Sequence, residues 1–89
     1  MAFYRNYWLM PNLTSYRQDP ILIAIGGAIR RTRLAYPLSQ EELALKADID
    51  RSHLGRIERG DNNVAILTLA RIAMAMDITV AKLIEDAKL

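Results

Sequence analysis

Eighty-nine residues make one small domain, near the size at which a single core is only just sufficient, and an apolar content of 52% argues for a folded globule over a disordered chain. With no cysteine and a single histidine, disulfides and thiolate-held metals are excluded, and no cluster of carboxylates gathers around the histidine, so no metal and no other cofactor is expected. The formal charge of +2 is too small to name a partner, but it is unevenly spread: Arg30, Arg31, Arg33, Arg51, Arg56 and Arg59 supply half of the twelve basic residues.

Residues 1–19 form an aromatic-rich arm distinct from the domain that follows at 20–89. Phe3, Tyr4, Tyr7, Trp8 and Tyr16 are five of the six aromatics, and Pro11 and Pro20 break any long helix. Disordered tails are poor in aromatics, so the composition favours packing, on the arm's own domain or on a partner copy. The arm lacks the layout of a signal peptide, and no apolar run approaches the roughly 18–20 residues that span a bilayer. A cytoplasmic protein with no membrane partner is the expectation.

Pro20 suits the first turn of a helix, and Ile21, Ile25 and Ile29 continue it as an i, i+4, i+8 stripe to about Ala35. Tyr36 precedes Pro37 and is pushed away from helical angles, which ends the element. Gly26-Gly27 inside this helix costs about 1 kcal/mol per glycine relative to alanine, which close approach of another helix or of the arm would explain. Ser39 and Glu42 then stand at capping-box spacing, so a second helix starts at Gln40 and buries Leu43, Ala44 and Ala47. After a tight polar turn, Asp50 is a good N-cap for a third helix, which buries Leu54 and Ile57 and stops at Gly60. A loop at Asp61-Asn62-Asn63 leads to a fourth helix, Ile66 to Met76, with Ile66, Leu69, Ile72, Ala73 and Met76 facing inward and Met74 also read as core filler. Thr79 caps a last helix, Val80 to about Ala87. No segment alternates like a strand, so the fold class is all-α, with five short helices.

Helices two and three are about two turns each and cannot be stable alone, so they must pack on the rest of the chain and leave a polar face free. With Leu54 and Ile57 inward, Arg51, Ser52, Gly55, Arg56 and Arg59 fall toward the outside. Two short helices and a tight turn inside a compact domain describe a helix-turn-helix. The wording Ile25-Gly26-x-x-Ile29-Arg30-x-x-Arg33, Leu38-Ser39-Gln40-Glu41-Glu42-Leu43-Ala44 and Ile57-Glu58-Arg59-Gly60 resembles the phage-repressor/Cro-like (XRE) family. The resemblance continues through Leu69-Ala70-Arg71-Ile72-Ala73 and Leu83-Ile84, covering about residues 24–85. Asp50-Arg51-Ser52-His53-Leu54 with Asn62-Asn63-Val64 is similar to the controller proteins of restriction–modification systems. Three positions depart from the usual pattern: Asp48 and Pro37 stand where glycine is common, and Thr32 where a larger aliphatic is usual.

The resemblance implies a compact lambda-repressor-like domain that regulates transcription, with the helix at 51–59 in the major groove of a palindromic double-stranded DNA operator. A guanidinium donates two hydrogen bonds to guanine O6 and N7, which makes Arg51 and Arg56 the candidates for base readout. Ser52 reaches a base or a phosphate, Gly55 permits close approach, and His53 borders the contact face. Gln40, Asn62 and Asn63 are candidates for phosphate contact, with Asp61 opposing it. Relatives pair the positions of Arg33 and Glu58 as a partly buried ion pair joining the first helix to the third. Operators are read by twofold dimers, so a homodimer is expected, through Ile78, Val80, Leu83 and Ile84. No nucleophile or paired carboxylate accompanies His53, so no enzyme activity is expected. A protein-interaction module, such as an antitoxin that binds a protein partner through the N-terminal arm, is the alternative.

Overall fold

The computed structural model describes residues 17–89, so the aromatic residues of the arm, Phe3 to Tyr16, lie outside the described residues. The described chain is all-α: α1 (Pro20–Ala35), α2 (Gln40–Ala47), α3 (Arg51–Arg59), α4 (Ile66–Ala75) and α5 (Val80–Ala87). Helix α1 packs across α3 and α5, α2 packs on α3 and α4, and α4 closes on α5. Every helix is therefore held by at least two others, which is how elements of two turns become stable.

Helix α1 starts with Pro20 in its first turn, behind Asp19, whose carboxylate accepts from the Ile21 N–H at 2.9 Å. Its buried face is Leu22, Ile25, Gly26, Ala28, Ile29 and Arg33. Ile21, expected on the stripe, is only half-buried. Because α1 touches both α3 and α5, its inward face is wider than one i, i+4 row and is centred nearer Leu22 and Ala28. Gly26 marks the crossing with α3: a Cβ there would collide with the Ile57 carbonyl oxygen and lie 2.6 Å from that of Glu58.

The capping box of α2 is complete, with Glu42 N–H donating to Ser39 Oγ at 3.0 Å and Ser39 N–H to Glu42 Oε1 at 2.9 Å. Asp48 ends α2 in the left-handed region at φ 58°, and Ile49 N–H returns to the Ala44 carbonyl at 3.0 Å. An aspartate serves where glycine is common because its short polar side chain tolerates that region. Asp50 occupies the N-cap position of α3 with extended backbone, but its carboxylate makes no capping hydrogen bond, contrary to expectation. At the far end Gly60 takes φ 78°.

The core is one cluster that includes Ile25, Ile29, Leu43, Leu54, Ile57, Leu69, Ile72, Met76 and Leu83. Two expectations for α4 fail. Ile66 is 68% exposed, because in the first helical turn its side chain points back past the end of the bundle, and Val64 packs against the core instead. Met74 is 76% exposed, facing away from the row of Leu69, Ile72, Ala73 and Met76. Helix α5 begins with Thr79 accepting from Lys82 N–H at 2.9 Å and buries Leu83 and Ala87.

Candidate nucleic-acid interface

The sequence Arg-Ser-His-Leu-Gly-Arg-Ile-Glu-Arg of α3 divides into an inner row and an outer face. Leu54 and Ile57 are buried, and Glu58 is buried beside them. Arg51, Ser52, Arg56 and Arg59 are exposed, and His53 is half-buried at the edge. None of the ion pairs among the described residues uses Arg51 or Arg56. Each is exposed and, among the described residues, keeps its guanidinium donors free, which is the state required to grip a base edge or a phosphate. Gly55 departs from expectation: it is buried, and a Cβ placed on it would meet Arg59 Nη1 at 3.2 Å and Gln40 Oε1 at 3.7 Å. Its tightest neighbour is the flexible end of Arg59 and Gln40 lies at ordinary van der Waals distance, so Gly55 sits beneath both side chains and does not lie open on the outer face.

Glu58 anchors α3. Its carboxylate accepts from Arg33 Nε at 2.7 Å, from Arg33 Nη2 at 3.0 Å and from Gln40 Nε2 at 3.0 Å. Arg33 also donates through Nη1 to the Leu38 carbonyl at 2.9 Å. Three helices and the α1–α2 connection meet at this pair, whose side chains are 8% and 2% exposed. A bidentate guanidinium satisfies the carboxylate geometrically, and among the described residues no buried side-chain polar atom lacks a partner. Gln40 is thereby held at the first turn of α2 with its side-chain N–H donating to α3.

The loop after α3 carries Asn62, half-buried, and Asn63, exposed. Between them and α3 stands Asp61, which accepts from Gln18 Nε2 at 2.5 Å and from Arg59 Nε at 3.2 Å, with Arg17 Nη2 at 3.8 Å. The Gln18 hydrogen bond first, and then Arg59 and Arg17, hold its carboxyl below the usual range against a smaller opposing effect of desolvation. Sequence reasoning missed this attachment because it placed residues 17–19 in the arm. The readable signal was Asp19-Pro20, a cap residue before a first-turn proline, which ties that stretch to α1.

The residues named for pairing between copies, Ile78, Val80, Leu83 and Ile84, do not share one state. Leu83 has no exposed surface and belongs to the core, so it cannot meet another molecule. Ile78, Val80 and Ile84 pack against the core and remain half-exposed. Among the described residues no group of three or more His, Asp or Glu could hold a metal, and no helix is long and apolar enough to cross a membrane.

Three comparisons bear on this arrangement. The helix-turn-helix family model HTH_3 matches residues 29–83, which contain α2, α3 and α4, the C-terminal part of α1 and the start of α5. Control protein C.MunI of a Mycoplasma species is 34% identical over 69 residues, spanning 76% of this chain and 93% of that protein. The crystal structure of the restriction–modification controller protein C.AhdI from Aeromonas hydrophila superimposes with a TM-score of 0.69 at 40% identity, covering 70% of this chain and 94% of the other. C.Esp1396I, solved bound to a 25-base-pair operator site, matches with a TM-score of 0.70 at 28% identity over 76% of this chain and 90% of its own.

Proposed function

The chain belongs to the HTH_3 helix-turn-helix family, and from that premise we propose that it is a sequence-specific, double-stranded-DNA-binding transcriptional regulator of the restriction–modification controller kind. The observation that carries this reading is the pair of guanidiniums, Arg51 and Arg56, exposed and unpaired among the described residues, on a helix whose other face is locked to α1 and α2 by Glu58. The operator-bound relative supports it. Helix α3 enters the major groove, where Arg51 and Arg56 read guanine edges and Ser52 and His53 contact a base or a phosphate near the helix start. Gln40, Asn62 and Asn63 fasten the sugar–phosphate backbone on either side. No step of this function needs a catalyst or a cofactor, and its setting is the cytoplasm.

Two copies read a palindrome. A single α3 covers only one half-site, and twofold pairing places two such helices about one turn, roughly 34–36 Å, apart. The pairing surface is α5 with its entrance, through Ile78, Val80 and Ile84. Fluorescence anisotropy with a palindromic duplex and a scrambled one tests the reading. Binding should favour the palindrome and weaken steeply with salt, and alanine at Arg51 or Arg56 should reduce the preference. Equal, salt-insensitive binding to both duplexes would overturn it and favour the protein-interaction alternative.

A further inference from the structure

The start of the described chain is fixed to the end of the reading helix. Gln18 N–H donates to the Gly60 carbonyl at 2.7 Å, and its side-chain amide donates to the Arg59 carbonyl at 2.8 Å as well as to Asp61. These carbonyls belong to the last turn of α3, where backbone acceptors lack helical partners. Gln18 holds left-handed backbone at φ 62°, a conformation that persists in a residue with a Cβ only when its contacts over-determine it. The attachment is therefore specific, and it sets Arg17 beside Arg59 on opposite sides of one carboxylate.

Asp61 on its own would repel a phosphate from the loop that carries Asn62 and Asn63. Here it is enclosed, its side chain 14% exposed, while the Arg17 and Arg59 side chains that flank it are 76% and 62% exposed. The cluster carries one net positive charge, directed outward, with the anion inside. Each guanidinium has five donors and commits only part of them to Asp61. Arg56 lies one turn back on the same helix.

We propose that Arg17 and Arg59, organised around Asp61, form a phosphate-contacting site on the operator backbone at the C-terminal end of the reading helix, with Gln18 as its positioning residue. The site takes phosphodiester oxygens without regard to sequence. It converts the one acidic residue next to the candidate phosphate loop from an obstacle into the pivot that aims two cations. The proposal rests on the DNA-binding reading above.

Arg17→Ala, in the full chain, is the discriminating variant, because Arg17 is exposed and its loss leaves the core intact. Operator and scrambled duplex are titrated across a salt series, beside a thermal melt. Affinity for both duplexes should fall by the same factor, base preference should be unchanged, and the slope of log affinity against log salt should drop by about one. Gln18→Ala should weaken both duplexes in the same way and raise the Asp61 pKa followed by carboxyl NMR, whereas a purely structural Gln18 would lower the melt without moving the salt slope. Wild-type binding with an unchanged slope in Arg17→Ala overturns this proposal alone. No salt-dependent duplex binding by the wild type overturns it together with the DNA-binding reading, and the two results are distinct.

Discussion

At the scale of single residues, the buried Arg33–Glu58 pair sets one structural arginine apart from the exposed arginines of α3. Burying an ion pair is not inherently stabilising, but removing one partner strands the other in a dry site. Glu58→Gln should therefore lower stability by about 3–5 kcal/mol in a denaturant melt, a large share of what so small a domain possesses. An unchanged midpoint would contradict the role given to the pair. The adjacent glycines of α1 make a sharper contrast. Gly26→Ala drives a Cβ into the Ile57 and Glu58 carbonyls and should cost about 1–3 kcal/mol. Gly27→Ala meets only the movable end of Arg31, at 3.2 Å, and should stabilise the helix by up to about 1 kcal/mol. Both changes are read in the same melt, and opposite signs are expected. The sequence raised the question of why two glycines sit in a helix, and only the packing shows that one of them is required.

At the scale of elements, α2 depends on its start. Ser39→Ala removes the hydroxyl that accepts from Glu42 N–H and should cost about 1 kcal/mol. The backbone N–H of Ser39 first, then its side chain, hold the Glu42 carboxyl below its ordinary value. A depressed folded-state pKa contributes stability above the unfolded value, and that contribution is lost as pH falls through the folded one. The backbone donor survives in Ser39→Ala, so only the side-chain part of that contribution is removed, and the penalty should shrink modestly as pH is lowered through the Glu42 folded-state pKa, as a pH series of melts would show. Helix boundaries of this kind were legible because Ser39, Thr79, Pro20 and Gly60 each have a local physical role. Positions decided at a distance were not. Ile66 and Met74 are apolar and lie in a helix, yet the bundle ends before one and turns away from the other. Asp50 takes the cap position with its backbone alone.

At the scale of the whole molecule, the five described helices hold the exposed arginines of α3 in place while α5 retains a half-covered apolar edge. Leu83→Ala should destabilise the fold by about 2–5 kcal/mol without reporting on pairing, because its side chain never reaches the surface. Ile84, half-exposed, is the informative position: Ile84→Glu should shift sedimentation equilibrium toward monomer while helical content is retained. Concentration-independent monomer in the wild type across the micromolar range would exclude the homodimer. The outer row of α3 could be read from spacing, since Leu54 and Ile57 determine which arginines face out. The Gln18–Asp61 attachment joins residues 43 positions apart and leaves no periodic trace. In the proposed function, Arg51 and Arg56 read bases in two half-sites. Selection from random duplex DNA tests it most directly. The wild type should enrich an inverted repeat with half-site centres about one turn apart, and Arg51→Ala and Arg56→Ala should each lose preference at a different position within both half-sites. An enriched site that both variants leave unchanged, or no enriched site at all, would contradict it.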